Sequence, residues 1–209
     1  MIFIYDNLTA TIIAMAVLLL LVTIQFRTTQ ANIAQTSRNI VKEQAQGFAT
    51  WVEDDLERIG ENIPPGDVTF ENPVDSSGIT TQFTFYRDSI ESTTSIVPVS
   101  TRYTVRKVDT RIVEDDTLDM FQLDREQKVG SGSWTLDGQS IGALGYFEID
   151  MLNRDAKPIQ NPKYQIQNVN PDTVRSTRVR FSVVAPYQTD QTSLRVVHFG
   201  SVLLLRNEN

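Results

Sequence analysis

An α+β chain, with one long N-terminal helix packed on a C-terminal antiparallel β-sheet, is predicted by three observations. Nineteen residues from Leu8 to Phe26 carry no charge and contain neither Pro nor Gly. Beyond them an apolar stripe recurs at steps of three or four as far as Ile63. From Asp67 onward the pattern changes to short runs rich in Val, Ile, Thr, Tyr and Phe, separated by Gly, Asp, Asn and Pro.

The first element follows from length and charge. At ~1.5 Å per residue the uncharged run is ~28 Å long, close to the ~30 Å hydrocarbon core of a bilayer. Its apolar surface comes from Ile12, Ile13, Val17, Leu18, Leu20, Leu21 and Ile24. A secretory signal peptide needs a basic n-region, and Met1 to Asn7 carries no Lys or Arg, so an uncleaved anchor is expected. Residues 1–27 are therefore read as a membrane or packing helix. Residues 28–63 are read as its continuation, a helical stalk.

The stalk stripe comprises Ile33, Ser37, Val41, Ala45, Phe48, Val52, Leu56, Ile59 and Ile63. It is strongest from Phe48 onward, where Phe48, Trp51, Val52, Leu56 and Ile59 form a face wide enough to cover a sheet. This upper half should pack on the head. Opposite it, Glu53, Asp54, Asp55, Glu57 and Arg58 are expected to form a solvated charged face. Gly60 loosens the last turn and Pro64-Pro65-Gly66 ends the helix, since proline disfavours helical geometry in the residue before it.

Residues 67–209 form the β-rich head. Thr81 to Arg87 alternates with Phe83 and Phe85 on one face, and Ser100 to Val108 alternates through Tyr103 and Val105, with Thr110 to Val113 continuing extended. The acidic piece Glu114 to Glu126 has no clean periodicity and reads as a loop with one helical turn. Further strands are expected at Ser133 to Leu136, Gly145 to Leu152, Thr177 to Ala185 and Ser193 to Leu205. Turns are expected at Asp75 to Gly78, at Asp137-Gly138 and over Asn153 to Ala156. Arg178, Arg180 and Ser182 alternate with Val179, Phe181 and Val183, so this strand and the last make an antiparallel hairpin with one wet face.

Composition narrows the chemistry. About 145 residues after Ile63 suffice for one ordinary core. A net charge of -7 without a basic run lacks the footprint that nucleic-acid binding requires. There is no Cys, hence no disulfide, thiolate metal site or cysteine nucleophile. The single histidine, His198, lies in a strand-like run without the neighbours that a triad or a metal needs. No phosphate-binding or nucleophile-elbow motif is present. Glu114, Asp115, Asp116 and Asp119 could gather oxygen ligands, but their spacing is not that of a calcium loop and solvation is the simpler reading. Tyr86, Tyr103, Trp134, Tyr146 and Tyr164 are either core residues or a stacking surface. The chain is read as no enzyme, with no catalytic residue, metal, cofactor or small-molecule substrate.

Topology stays open at this level, because Arg27, Arg38 and Lys42 follow the apolar run and nothing basic precedes it. Taken alone, the positive-inside rule places the head in the cytoplasm. Asp6, at the start of the run, has two readings. It caps the helix N-terminus at a bilayer rim, or it pairs with the amino terminus of a neighbouring copy when apolar helices pack side by side.

The layout, together with GYFEIDMLNRDAKPI (Gly145 to Ile159), RSTRVRFSVVAP (Arg175 to Pro186) and HFGSVLLLRN (His198 to Asn207), resembles the type IV pilin superfamily, its minor pseudopilins of the J class above all. The basic leader of that family is absent; were Ile2 the mature first residue, Asp6 would stand at the fifth position, where the family carries Glu. The Gly or Pro that often interrupts the family's stalk is missing too, so a continuous helix is expected. The resemblance implies a structural subunit of a pilus-like or type II secretion pseudopilus filament. Such a subunit is held by the membrane until assembly and partners other pilin-like subunits, as a homo- or hetero-oligomer. Its head is extracytoplasmic, on a single-pass inner-membrane protein or in an extracellular filament. The alternative is a single-pass anchored binding or adaptor protein, and an anchored enzyme is the third class.

Overall fold

The computed structural model describes residues 2–64, 70–71, 74–76, 78–92, 95–113, 116–140, 142–159, 173–184 and 196–204. One helix, α1 (Ile2–Leu56), runs without a break through both the apolar run and the stalk. Among the described residues it is followed by eight strands: β1 (Val74–Ser76), β2 (Ile79–Ser92), β3 (Ser95–Val113), β4 (Asp116–Val129), β5 (Thr135–Gln139), β6 (Leu144–Leu152), β7 (Ser176–Val184) and β8 (Val196–Leu204). The α+β arrangement read from the sequence is the observed one.

The helix ends earlier than Ile63. At Arg58 and Ile59 the amides turn to carbonyls three residues back, Asp55 and Leu56. Gly60 takes a φ of 72° and its amide leaves the helix for the Tyr86 carbonyl of β2, 3.0 Å away. Glu61 then accepts from the Asp88 amide at 2.9 Å. The glycine, not the Pro64-Pro65 pair, is the stop signal, because only a residue without Cβ enters this left-handed region at no steric cost.

All strand pairs are antiparallel, in the order β1-β2-β3-β4-β6-β7-β8, with β5 also on β4. β4 and β6 meet at one described pair, Phe121 with Leu144, so β5 and β6 share one edge of β4. Beyond this short junction, the Ile149 amide of β6 donates to Thr80 Oγ1 at the start of β2 (3.0 Å). The two halves are thereby tied.

β4 corrects the expectation of a loop over Glu114 to Glu126: from Asp116 it is paired with β3 along its whole length. Its apolar residues change face midway. Leu118 and Met120 lie on one side of the pleat, Phe121 and Leu123 on the other, and both Met120 and Leu123 are fully buried. A strand covered on different faces at its two ends shows no simple alternation. β5 is a second correction, because Asp137-Gly138 lies inside the strand, not in a turn. The connection from β4 turns at Gly130 (φ 56°) instead, with Gly132 N–H donating to Val129 at 3.0 Å. The turn over Asn153 to Ala156 is present, the Asn153 side chain accepting from the Asp155 and Lys157 amides, each at 2.9 Å.

β7 and β8 form the expected hairpin, Phe181 opposite Phe199. The outer face of β7 is wet only at Arg178 and Arg180; Ser182 and Val184 are buried. The core lies between the inner face of the sheet and α1. It joins Val41, Ala45, Phe48, Val52, Leu56 and Ile59 of the helix side to Phe83, Phe85, Tyr103, Phe147, Ile149 and Phe181.

Candidate assembly element and its seat on the head

The helix divides into three parts by what surrounds it. From Asn7 to Phe26 every described side chain is exposed, including Ile12, Ile13, Val17, Leu18, Leu20, Leu21 and Ile24, each more than half accessible. This part is long and apolar enough to cross a membrane. A helix apolar on all sides needs cover on all sides, from lipid or from other helices. The side chain of Asp6 lies outside the described residues, although its backbone belongs to α1. Threonines in and next to the run satisfy themselves: Thr9, Thr11, Thr23, Thr28 and Thr29 each donate to the carbonyl four residues back, at 2.7–2.9 Å. Their hydroxyls therefore add little cost to burial in an apolar phase.

A bare neck follows. From Arg27 to Thr36 the helix touches nothing on most sides, and the first buried side chain is Ser37. About 10 residues, or ~15 Å of helix, separate the apolar part from the head.

The third part is seated on the sheet by aromatic side chains. Phe48 meets Phe181 edge-on with ring centres 4.7 Å apart, Phe147 at 6.0 Å and Trp51 at 5.8 Å. Trp51 reaches Tyr103 (6.2 Å) and lies under β5, where a Cβ at Gly138 would come within 3.2 Å of its ring. Val52, Leu56 and Ile59 are buried with them.

Beside this contact lies an ionic cluster that the sequence reading missed. Sequence pattern puts Asp55 on the solvated face, yet it is 6% exposed. Its carboxylate takes a two-pronged contact from Arg125 of β4, Nε to Oδ2 at 2.5 Å and Nη2 to Oδ1 at 2.9 Å. The Tyr103 hydroxyl donates to the same carboxylate at 2.8 Å. Arg125 also binds Asp137. Asp137 is the extra residue of a bulge, since Arg125 and Glu126 of β4 face Gly138 and Leu136 of β5. The bulge re-aims its carboxylate toward the guanidinium. Burial, reinforced by the charge and hydrogen bond of Asp55, pushes the Tyr103 phenol well above its ordinary value. Burial works against the charged form of Arg125, but the hydrogen bond and charge of Asp55 outweigh it and hold the guanidinium protonated. One signal was available: Asp55 follows Trp51 by four and Val52 by three, at the flank of the apolar stripe.

The outer face of the sheet carries cross-strand pairs. Arg102 binds Glu126 and stacks 4.3 Å over Trp134. Arg106 binds Asp124, and Arg178 and Arg180 bind Asp150. Burial raises the Asp124 carboxyl, but hydrogen bonds from Arg106 and Gln139 and the charge of Arg106 hold it below the ordinary range. The aromatic residues considered for stacking do not share a surface. Tyr103 is core, Tyr86 donates to Glu71 (2.8 Å), Tyr146 donates to Glu148 and Trp134 sits under Arg102. Tyr164, the side chain of His198, Glu114, Asp115 and the side chain of Asp116 lie outside the described residues. Among the described residues no group of three His, Cys, Asp or Glu side chains is arranged to hold a metal.

The chain matches no family model, no curated protein and no solved structure.

Proposed function

We propose that this chain is a structural subunit of a filament of the type IV pilus or secretion-pseudopilus kind, assembled through its N-terminal apolar helix. The observation that carries the reading is the helix itself. Its apolar part is exposed on every side, while its far end is fixed into the head by Phe48, Trp51 and the Asp55–Arg125 pair. A loose tether would serve an anchor equally well; a helix built into the head core transmits the packing direction of its apolar part to the head. The resemblance of the head strands and the position of Asp6 support the same reading.

In this mechanism the membrane stores the subunit, and assembly exchanges lipid contacts for helix packing. Asp6 pairs with an amino terminus so that its charge is not buried alone. The test is Asp6→Ala, with filaments counted by electron microscopy and membrane levels measured by immunoblotting. Loss of filaments at normal membrane level is the expected result. Unchanged filaments would remove Asp6 from assembly, and a chain that never forms filaments is a single-pass anchored adaptor.

A further inference from the structure

Of the seven described exposed charged residues on α1 and the turn directly after it, all but Arg58 fall into two groups whose spacing matches. Arg27, Arg38 and Lys42 are basic; Glu43, Asp54 and Glu57 are acidic. No acidic residue lies between Asp6 and Glu43, and none of the six joins an ion pair among the described residues. At ~100° per residue the three basic side chains fall within a ~60° sector of the helix, and so do the three acidic ones. Glu57 belongs with them although α1 ends at Leu56, because its amide still bonds the Glu53 carbonyl at 2.9 Å. The acidic sector lies on the side away from the head. The basic sector is centred ~125° from it, on the head side, with Arg27 below the head and Arg38 and Lys42 exposed beside the first buried residues, Ser37 and Val41.

The offsets are nearly constant: 27 to 43, 38 to 54 and 42 to 57, or about 16 residues and ~24 Å along the axis. We propose that a second copy of this chain, parallel and raised by ~24 Å, lays the basic face of its residues 27–42 on the acidic back of the first copy's upper helix. Arg27 then meets Glu43, Arg38 meets Asp54 and Lys42 meets Glu57. The two faces are different sectors of one helix, ~125° apart, so the contact is heterologous and, with an axial rise, repeats without closing, which produces a filament. Two copies level in a membrane set Arg27 beside Arg27 and form none of these pairs. The apolar runs of copies so offset overlap little, so this contact is additional to the packing of those runs. It rests on the filament reading and specifies the stagger of one neighbour.

The chain lacks cysteine, which makes the stagger measurable. Full-length R38C/D54C, treated in cells with a bis-maleimide spanning the ~8–10 Å between packed helices, should give a ladder of covalent oligomers. R38C alone and the misregistered pair R27C/D54C should give none. Independently, D54R should lower the filament yield about tenfold, and R38E combined with D54R should restore it. Filaments without the 38–54 ladder overturn the stagger and leave the filament reading intact. A wild-type chain without filaments or ladder overturns both. Loss of membrane association in R38E together with indifference to D54R assigns the basic face to anionic lipid and overturns the proposal.

Discussion

Asp55→Ala is the sharpest probe of how the helix is seated. The substitution removes one carboxylate and strands two groups. Arg125, itself 8% exposed, keeps only the half-exposed Asp137, and the fully buried Tyr103 hydroxyl loses its acceptor. Removing one partner of a buried ion pair costs ~3–5 kcal/mol, and the orphaned hydroxyl falls within that figure because the two losses share one carboxylate. Against a typical domain stability of ~5–15 kcal/mol this is a large fraction. Trp51 reports it directly, lying 6.2 Å from Tyr103. In a Trp134→Phe background it is the only tryptophan left of two. Urea unfolding of the full chain in detergent micelles, followed by Trp51 fluorescence, should show the loss as a lower midpoint at unchanged slope. Replacing both partners by apolar residues (Asp55→Leu with Arg125→Met) should recover most of it, since nothing charged is then left buried. A loss below ~1 kcal/mol in Asp55→Ala would refute the idea that this pair fixes helix to sheet.

Phe48→Ala should cost ~3–5 kcal/mol in the same assay, because three aromatic rings lose their shared neighbour. Alkaline pH should destabilise the head. Tyr86 is raised to about 12, by burial first and then by Glu71, and Tyr103 is raised well above 10. Their contribution is complete below the unfolded phenol value near ~10 and is lost as pH rises through the folded values. Tyr103→Phe should flatten that dependence, and an unchanged pH profile would contradict it. In acid the sign reverses: Asp124 is held low, so its contribution is present above ~4 and fades as pH falls through its folded value. Asp124→Asn should therefore reduce the acid slope of the unfolding midpoint, with the difference shrinking at high salt.

Local pattern made the helix, the stripe and the last hairpin legible. Phe48, Val52, Leu56 and Ile59 recur at helical spacing because one face of α1 is core, and Val179, Phe181 and Val183 alternate because β7 has one inner face. Where both faces of a strand are covered in turn, as at Met120 and Leu123 of β4, the period dissolves and the segment reads as loop. Asp137-Gly138 has turn chemistry, yet the same glycine is needed where β5 crosses the Trp51 ring. Asp55 was legible only as a helix-flank position. Its partner Arg125 is 70 residues away in sequence, and no local signal joins them. The assembly residues are the reverse case. Ile12 to Ile24 are plain in the sequence, but among the described residues nothing covers them.

Electron microscopy of sheared surface material from cells making the full chain, with antibody labelling of the head, decides between a filament subunit and an anchored adaptor. A filament subunit gives labelled filaments in the sheared fraction, lost when Asp6 is replaced by Ala. Chain confined to the membrane fraction, with no labelled filament under any condition, would contradict the filament reading.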